Sequence, residues 1–156
     1  MKTPDNSGIV VQGMEITLLD DAILEMTDIV VKGTNIQMVD EMEYHDEKVD
    51  ATVFIFSFEV IESYFGEYEA GDEIFMSYGG TVLPEGINSN TNMILFLKKN
   101  ILNYNNSDVY SFVSVSQGIY LEKSKTLEKA SDSIQMVNRL GKVFNMEEVQ
   151  KKYEKK

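Results

Sequence analysis

The sequence has 156 residues, 43% hydrophobic and 26% charged, with no cysteine and a formal net charge of −12. That length gives one domain with a core large enough to stand without staples, and the missing cysteine excludes disulfides, thiol nucleophiles and thiolate metal sites. The charge is lopsided, with 17 acids against 3 lysines in residues 1–72 and 9 acids against 11 bases in residues 73–156, so the front half repels nucleic acid phosphates and anionic lipid.

Residues 1–8 are rich in turn formers and read as a loose tail. MKTPDNSG has no apolar h-region, so an export signal or a lipid-anchoring cysteine is expected only upstream of this sequence. No run reaches the roughly 18 apolar residues of a membrane span. IVVQG at 9–13 suits a short strand. Thr17, with Asp20 and Asp21 behind it and Leu18, Leu19, Ala22, Ile23 and Met26 at helical spacing, predicts an amphipathic helix over 17–26.

Ile29, Val30 and Val31 are β-branched and open a long strand, with Gly33 at a bulge or bend. DEMEYHDEKVD at 40–50 is charged and aperiodic, which predicts a loop or hairpin tip. Residues 51–65 form the strongest strand, apolar on both faces near its start, as a strand serving two neighbours would be. GEYEAGD is a turn, GDEIFMSYGG a strand, and 81–92 a loop. MILFLKK follows as a buried strand. Residues 100–107 read as a polar turn around Tyr104, VYSFVSV as a strand, Gln117–Gly118 as a kink, and IYLEK as the closing strand. After residue 123 the chain turns basic. Leu127, Ile134, Val137 and Leu140 suggest a helical stripe, Gly141 a stop, and Asn145 the cap of a last helix begun by Glu147 and Glu148.

The order of these features resembles a group of small β-barrel proteins and lipoproteins exported by Gram-positive bacteria, a group without a settled activity. The resemblance rests on TDIVVKG after a short helix, ESYFGEYEAGDEI followed by YGG, then MILFLKK, then SQGIY, and covers roughly residues 17–122. It implies a barrel of the oligonucleotide/oligosaccharide-binding (OB) type, similar to tissue-inhibitor and netrin-like modules. The sequence departs from that pattern in three places. Asn92–Met93 stands where glycine and tyrosine are usual, the netrin-like disulfides are absent, and the basic tail lies outside the pattern. A shared barrel by itself licenses no activity.

His45, the only histidine, sits in EYHDEK among carboxylates. Imidazole with Asp40, Glu41, Glu43, Asp46, Glu47 and Asp50 offers oxygen and nitrogen donors to a cation, but the EF-hand spacing and its sharp-turn glycine are missing. A solvated hairpin tip is the plainer expectation. No G-x-S-x-G elbow or phosphate-binding glycine motif is present. Tyrosines 64, 68, 78, 104, 110 and 120 and Phe65 lie near strand ends, where exposed rings could stack on sugars or bases, or simply pack the core. Residues 33–97 hold only Lys48 as a fixed cation, which disfavours nucleic acid.

The expected fold is mainly β with peripheral α: a five- to six-stranded antiparallel OB-like barrel over 1–123, with helix 17–26 leading and a helical extension over 124–156. The expected role is a non-enzymatic binding domain of a secreted or surface-anchored bacterial protein, with a cytoplasmic location as the alternative. Its ligand is expected to be a protein or peptide, or else a saccharide, with no catalytic residue, cofactor or metal assigned. Its interaction surface is expected among Asp40, Glu41, Glu43, His45, Asp46, Glu47, Tyr64, Tyr68 and Tyr78. Two other classes stay open: a small metal-dependent hydrolase using the acidic loop, and an acidic inhibitor that mimics nucleic acid.

Overall fold

The structure, a computed structural model, describes residues 9–12, 15–18, 20–48, 50–78, 83–84, 86–125 and 133–153. The apolar stripe position Leu127 lies outside these residues, as do Gly79 and Gly80. The protein is mainly β with two short helices.

Two strands, β1 (Ile9–Gln12) and β2 (Glu15–Leu18), pair as a separate antiparallel hairpin. The expected helix over 17–26 is therefore shorter: Thr17 and Leu18 belong to β2, because β-branched Ile16 and Thr17 find a partner strand in Ile9–Gln12. The helix itself, α1, is Asp20–Met26. Thr27 ends it: its backbone N–H reaches Leu24 O at 3.3 Å and its hydroxyl donates to Ile23 O at 2.6 Å.

Seven further strands form one mixed sheet: β3 (Ile29–His45), β4 (Asp50–Phe65), β5 (Glu73–Tyr78), β6 (Met93–Tyr104), β7 (Ser107–Phe112), β8 (Ile119–Lys125) and β9 (Ser133–Val137). Their order is β3-β4-β5-β7-β6-β8-β9, and β3 also pairs with β6. That last pairing joins five strands into a partial ring. The five strands of the ring agree with the five- to six-stranded barrel expected from the sequence. Among the described residues the whole sheet has seven strands and is mixed rather than purely antiparallel, since β5 and β7 run parallel through Phe75↔Val109 and Met76↔Tyr110.

The ring depends on β6 and the root of β3. Ile29 to Gly33 pair with Leu97 to Met93, while β8 and then β7 take successive stretches of the opposite edge of β6. Both faces of these two strands are consequently covered. Val31, Met93, Leu95 and Leu97 point into the ring with Phe56, Phe58 and Met76. Val30, Ile94 and Phe96 point outward, beneath Ile23 and Leu24 of α1 and Val149 near the C-terminus. This is why MILFL is unbroken apolar sequence rather than an alternating strand. Each such fully buried side chain contributes about 1.5–3 kcal/mol.

Closure requires β3 to bend, and its pairing with β4 shifts register at four points, one between Lys32 and Gly33. A Cβ on Gly33 would fall on the buried Phe58 ring, so only glycine fits this bend. At the Ser114–Gly118 turn, a Cβ on Gly118 would lie 2.8 Å from Ser114 O, the atom that accepts the Gly118 N–H.

Three sequence expectations change toward the C-terminal half. The polar turn expected at 100–107 contracts to Asn105–Asn106, since β6 runs through Tyr104. Strand β7 ends at Phe112, so Val113 to Val115 lie beyond it. The segment expected to be helical after residue 123 contains a strand instead. Leu121 to Lys125 pair with Val137 to Ser133, and Ile134 and Val137 belong to β9. A sheet edge left open by β8 overrides the helical spacing. Among the described residues after 123, helix is confined to α2 (Met146–Tyr153), where Asn145 Oδ1 accepts the Glu148 N–H at 3.1 Å and Glu147 and Glu148 occupy the first turn. Among the described residues no helix is long and apolar enough to cross a membrane.

Candidate interaction surface

Strands β3 and β4 outlast the ring. Pairing of β3 with β6 ends at Gly33↔Met93, and pairing of β4 with β5 ends at Phe54↔Tyr78. From a root at Asp40↔Ile55 and Glu41↔Phe54, where β5 still pairs with β4, β3 and β4 continue together as far as His45↔Asp50, and the tip follows His45. The charged loop or hairpin tip expected at 40–50 is thus the end of a hairpin, paired as a two-stranded arm. Among the described residues its outer edges beyond that root, from Met42↔Val53 to His45↔Asp50, pair with no third strand.

Directly opposed residues share a face. One face carries Glu41, Glu43, Thr52, His45 and Asp50, all exposed, and meets the ring at Phe54. The other carries Met42 opposite Val53 and Tyr44 opposite Ala51, all half-buried, and meets the ring at Asp40 and Ile55. The arm is amphipathic, acidic on one side and apolar on the other. Its alternation is hard to see in sequence because Asp40 interrupts the apolar side.

The tip is tied together by His45. Its Nδ1 lies 2.8 Å from Asp50 Oδ1 and its Nε2 lies 3.1 Å from Glu43 Oε2. A neutral imidazole has one N–H, so donating to both carboxylates requires the imidazolium. The bond to Asp50, then that to Glu43, holds the His45 pKa above its usual value. Asp46 completes the turn: it accepts the Lys48 N–H at 2.7 Å and the Tyr44 hydroxyl at 3.2 Å. Glu47 is exposed beside it.

The root is tied by Tyr104, which reaches over from the end of β6. Its hydroxyl donates to Asp40 Oδ2 at 2.7 Å, and its ring meets Phe75 edge-on with centroids 5.0 Å apart. Asp40 Oδ1 accepts the Glu41 N–H at 2.7 Å. The Tyr104 bond, then the Glu41 bond, keeps the Asp40 carboxyl below the usual range. Farther along the same hairpin, Asn100 Nδ2 donates to Ser77 Oγ and Ser111 Oγ, both at 3.0 Å, fixing it across β5. Tyr104 is the residue that sequence reasoning left out of the surface. Its one signal was an aromatic ring in an asparagine-rich turn, where a ring needs something to cover.

The six carboxylates Asp40, Glu41, Glu43, Asp46, Glu47 and Asp50 and His45 therefore sit together on the arm, but the three tyrosines placed with them do not. Tyr64 packs in the outer cluster, 5.0 Å from the Phe144 ring, and burial pushes its pKa up to about 12, with Glu62 adding to the shift. Tyr68 and Tyr78 pack against the ring interior. The Tyr68 hydroxyl donates to Tyr110 at 3.2 Å, and Tyr78 meets Phe112 edge-on at 5.8 Å. These rings pack the fold. As for a cation, no group of three or more His, Asp or Glu side chains among the described residues is placed to hold a metal ion.

Neither a protein family, nor a curated protein, nor a solved structure matches this chain.

Proposed function

We propose that this protein is a non-enzymatic binding domain that grips a protein or peptide partner through the β3–β4 arm. One observation carries the reading: the arm continues well beyond the ring as a pinned ribbon, with unpaired edges and faces of opposite character among the described residues. Unpaired edges offer backbone donors and acceptors to an added strand, and the acidic face selects a basic partner. The pinning by His45 at the tip and Tyr104 at the root lowers the ordering cost of binding.

The OB-like reading draws support from the five-stranded partial ring with its single parallel joint. Placement outside a Gram-positive cell draws support from the sequence resemblance alone. A nucleic acid mimic would need its charge on one face. The front-half carboxylates instead divide between the arm and the opposite end of β4, where Glu59, Glu62, Glu67, Glu69 and Asp72 lie, which favours the arm as a separate device.

Photocrosslinking tests the proposal. A photoreactive residue placed at Thr52 on the arm, and one at Ser89 as a control far from it in sequence, would be exposed to envelope and cytosolic fractions of the source cell. The expected result is one partner captured from Thr52 and not from Ser89, and lost when Glu41→Lys and Glu43→Lys are combined. Capture that is equal from both positions, or that survives the charge reversal, overturns the reading.

A further inference from the structure

A second feature lies away from the arm, at an end of the ring that loop 83–92 closes only in part. The loop is built rather than draped. Ile87 N–H donates to Pro84 O at 3.2 Å, Asn88 N–H to Thr91 Oγ1 at 3.1 Å, and the Thr91 hydroxyl to Gly86 O at 3.1 Å. Gly86 adopts φ +90° and approaches β8 so closely that a Cβ would lie 2.9 Å from Leu121 Cδ1. Between this loop, β8 and the turn after β9 remains a half-open cavity of about 100 Å³. Its walls are apolar, chiefly Ile87, Val115, Ile119, Leu121 and Val137.

Two polar residues share the lining, Asn138 and Arg139. Asn138 is buried, and its side chain holds its turn. Its Oδ1 accepts the N–H of Leu140 at 3.0 Å and of Lys142 at 2.9 Å, and its Nδ2 donates to Gln117 O at 3.3 Å. Arg139 is the sequence's one arginine. Its backbone is fixed at the rim by the bond from its N–H to Ser116 O at 3.2 Å, while its side chain is exposed and has no ion-pair partner among the described residues. Mainly apolar walls favour an apolar chain over water. An exposed arginine side chain on a residue that lines the cavity offers a planar fork of donors suited to a carboxylate.

We infer that this end of the barrel binds a small aliphatic carboxylate, with the chain in the cavity and the carboxylate on Arg139. A cavity of roughly 150 Å³ accepts the six carbons of benzene, so this one accepts a chain of about four. A ligand with about six heavy atoms in such a site binds with a dissociation constant near about 1 mM. This site is independent of the arm and stands or falls separately from it.

Methyl-resolved NMR titration of the whole protein is the test, with butyrate, acetate, butanol and butylamine as probes. Butyrate is expected to give saturable shifts at the methyls of Ile87, Ile119 and Leu121. Acetate, lacking two methylenes, is expected to bind about tenfold more weakly. Arg139→Gln should weaken butyrate about tenfold and leave butanol unchanged, because only the charge-assisted contact is lost. Val115→Phe, which fills the cavity, should remove the shifts from both. Three results overturn the inference: no saturable methyl shift with butyrate, butylamine binding as tightly as butyrate, or butyrate affinity unchanged in Arg139→Gln.

Discussion

The same two strands live in two different environments. At their root, β3 and β4 are enclosed by the ring. Val30, Val31, Phe56, Phe58 and Val60 are buried, and side chains on both sides of the sheet meet other side chains. Past the Glu41↔Phe54 pair the ribbon has no third layer among the described residues, and only Met42, Tyr44, Ala51 and Val53 are even half-buried. The root is held by burial, the arm by cross-strand pairs and by two polar ties at its ends. Pairing alone sustains a strand when its ends are fixed, and the surface left free is available for contact.

Substitutions sharpen that contrast. Leu95 is 0% exposed inside the ring, so Leu95→Ala should lower stability by about 2–5 kcal/mol in denaturant unfolding. Met42→Ala, which truncates a side chain of similar size on the arm, should cost less than about 1 kcal/mol. Equal losses would mean that the arm is packed as tightly as the root. Gly33→Ala tests the bend where root becomes arm. The added methyl must displace the Phe58 ring, and a loss of about 1–3 kcal/mol is expected. Retained stability would show that the bend tolerates a side chain.

The smallest effect is a titration confined to the arm. The folded-state pKa of His45 is raised above its unfolded value, chiefly by Asp50 and then Glu43. The contribution of this tie is therefore fully present below the unfolded histidine pKa of about 6.5 and is lost as pH rises through the folded value. Hydrogen exchange corrected for intrinsic rates should show the amides of residues 43–52 losing protection over that rise while those of β6 keep theirs. His45→Gln should abolish the difference. Loss of protection in β6 alongside the arm would mean that the tip is coupled to the core.

Much of the root was legible in the sequence, and the reason is burial. MILFL and IVV are continuous apolar runs that only a strand covered on both faces would use, and Gly33 stands where a bend needs it. The arm was read only as a loop or hairpin tip, with its paired length unseen, because no core enforces alternation there. Its register is set by the partner strand, which local spacing does not reveal. Ile134 and Val137 were misread for a related reason: three-residue spacing fits a helix, but the open edge of β8 claims them. The carboxylates and His45 were identified as a group. Tyr104, from the far end of β6, was not, since its contact with Asp40 spans 64 residues of sequence.

By itself the sequence determined a β-rich protein, the capped last helix, the glycine-dependent bend and an acidic front half, because each follows from local chemistry or from patterning along a few residues. Tertiary structure alone decided the parallel joint between β5 and β7, the ninth strand, the arm and the cavity beneath Arg139. Those depend on which edges and faces remain unpaired once the ring has closed, a property of the assembled sheet and not of any segment within it.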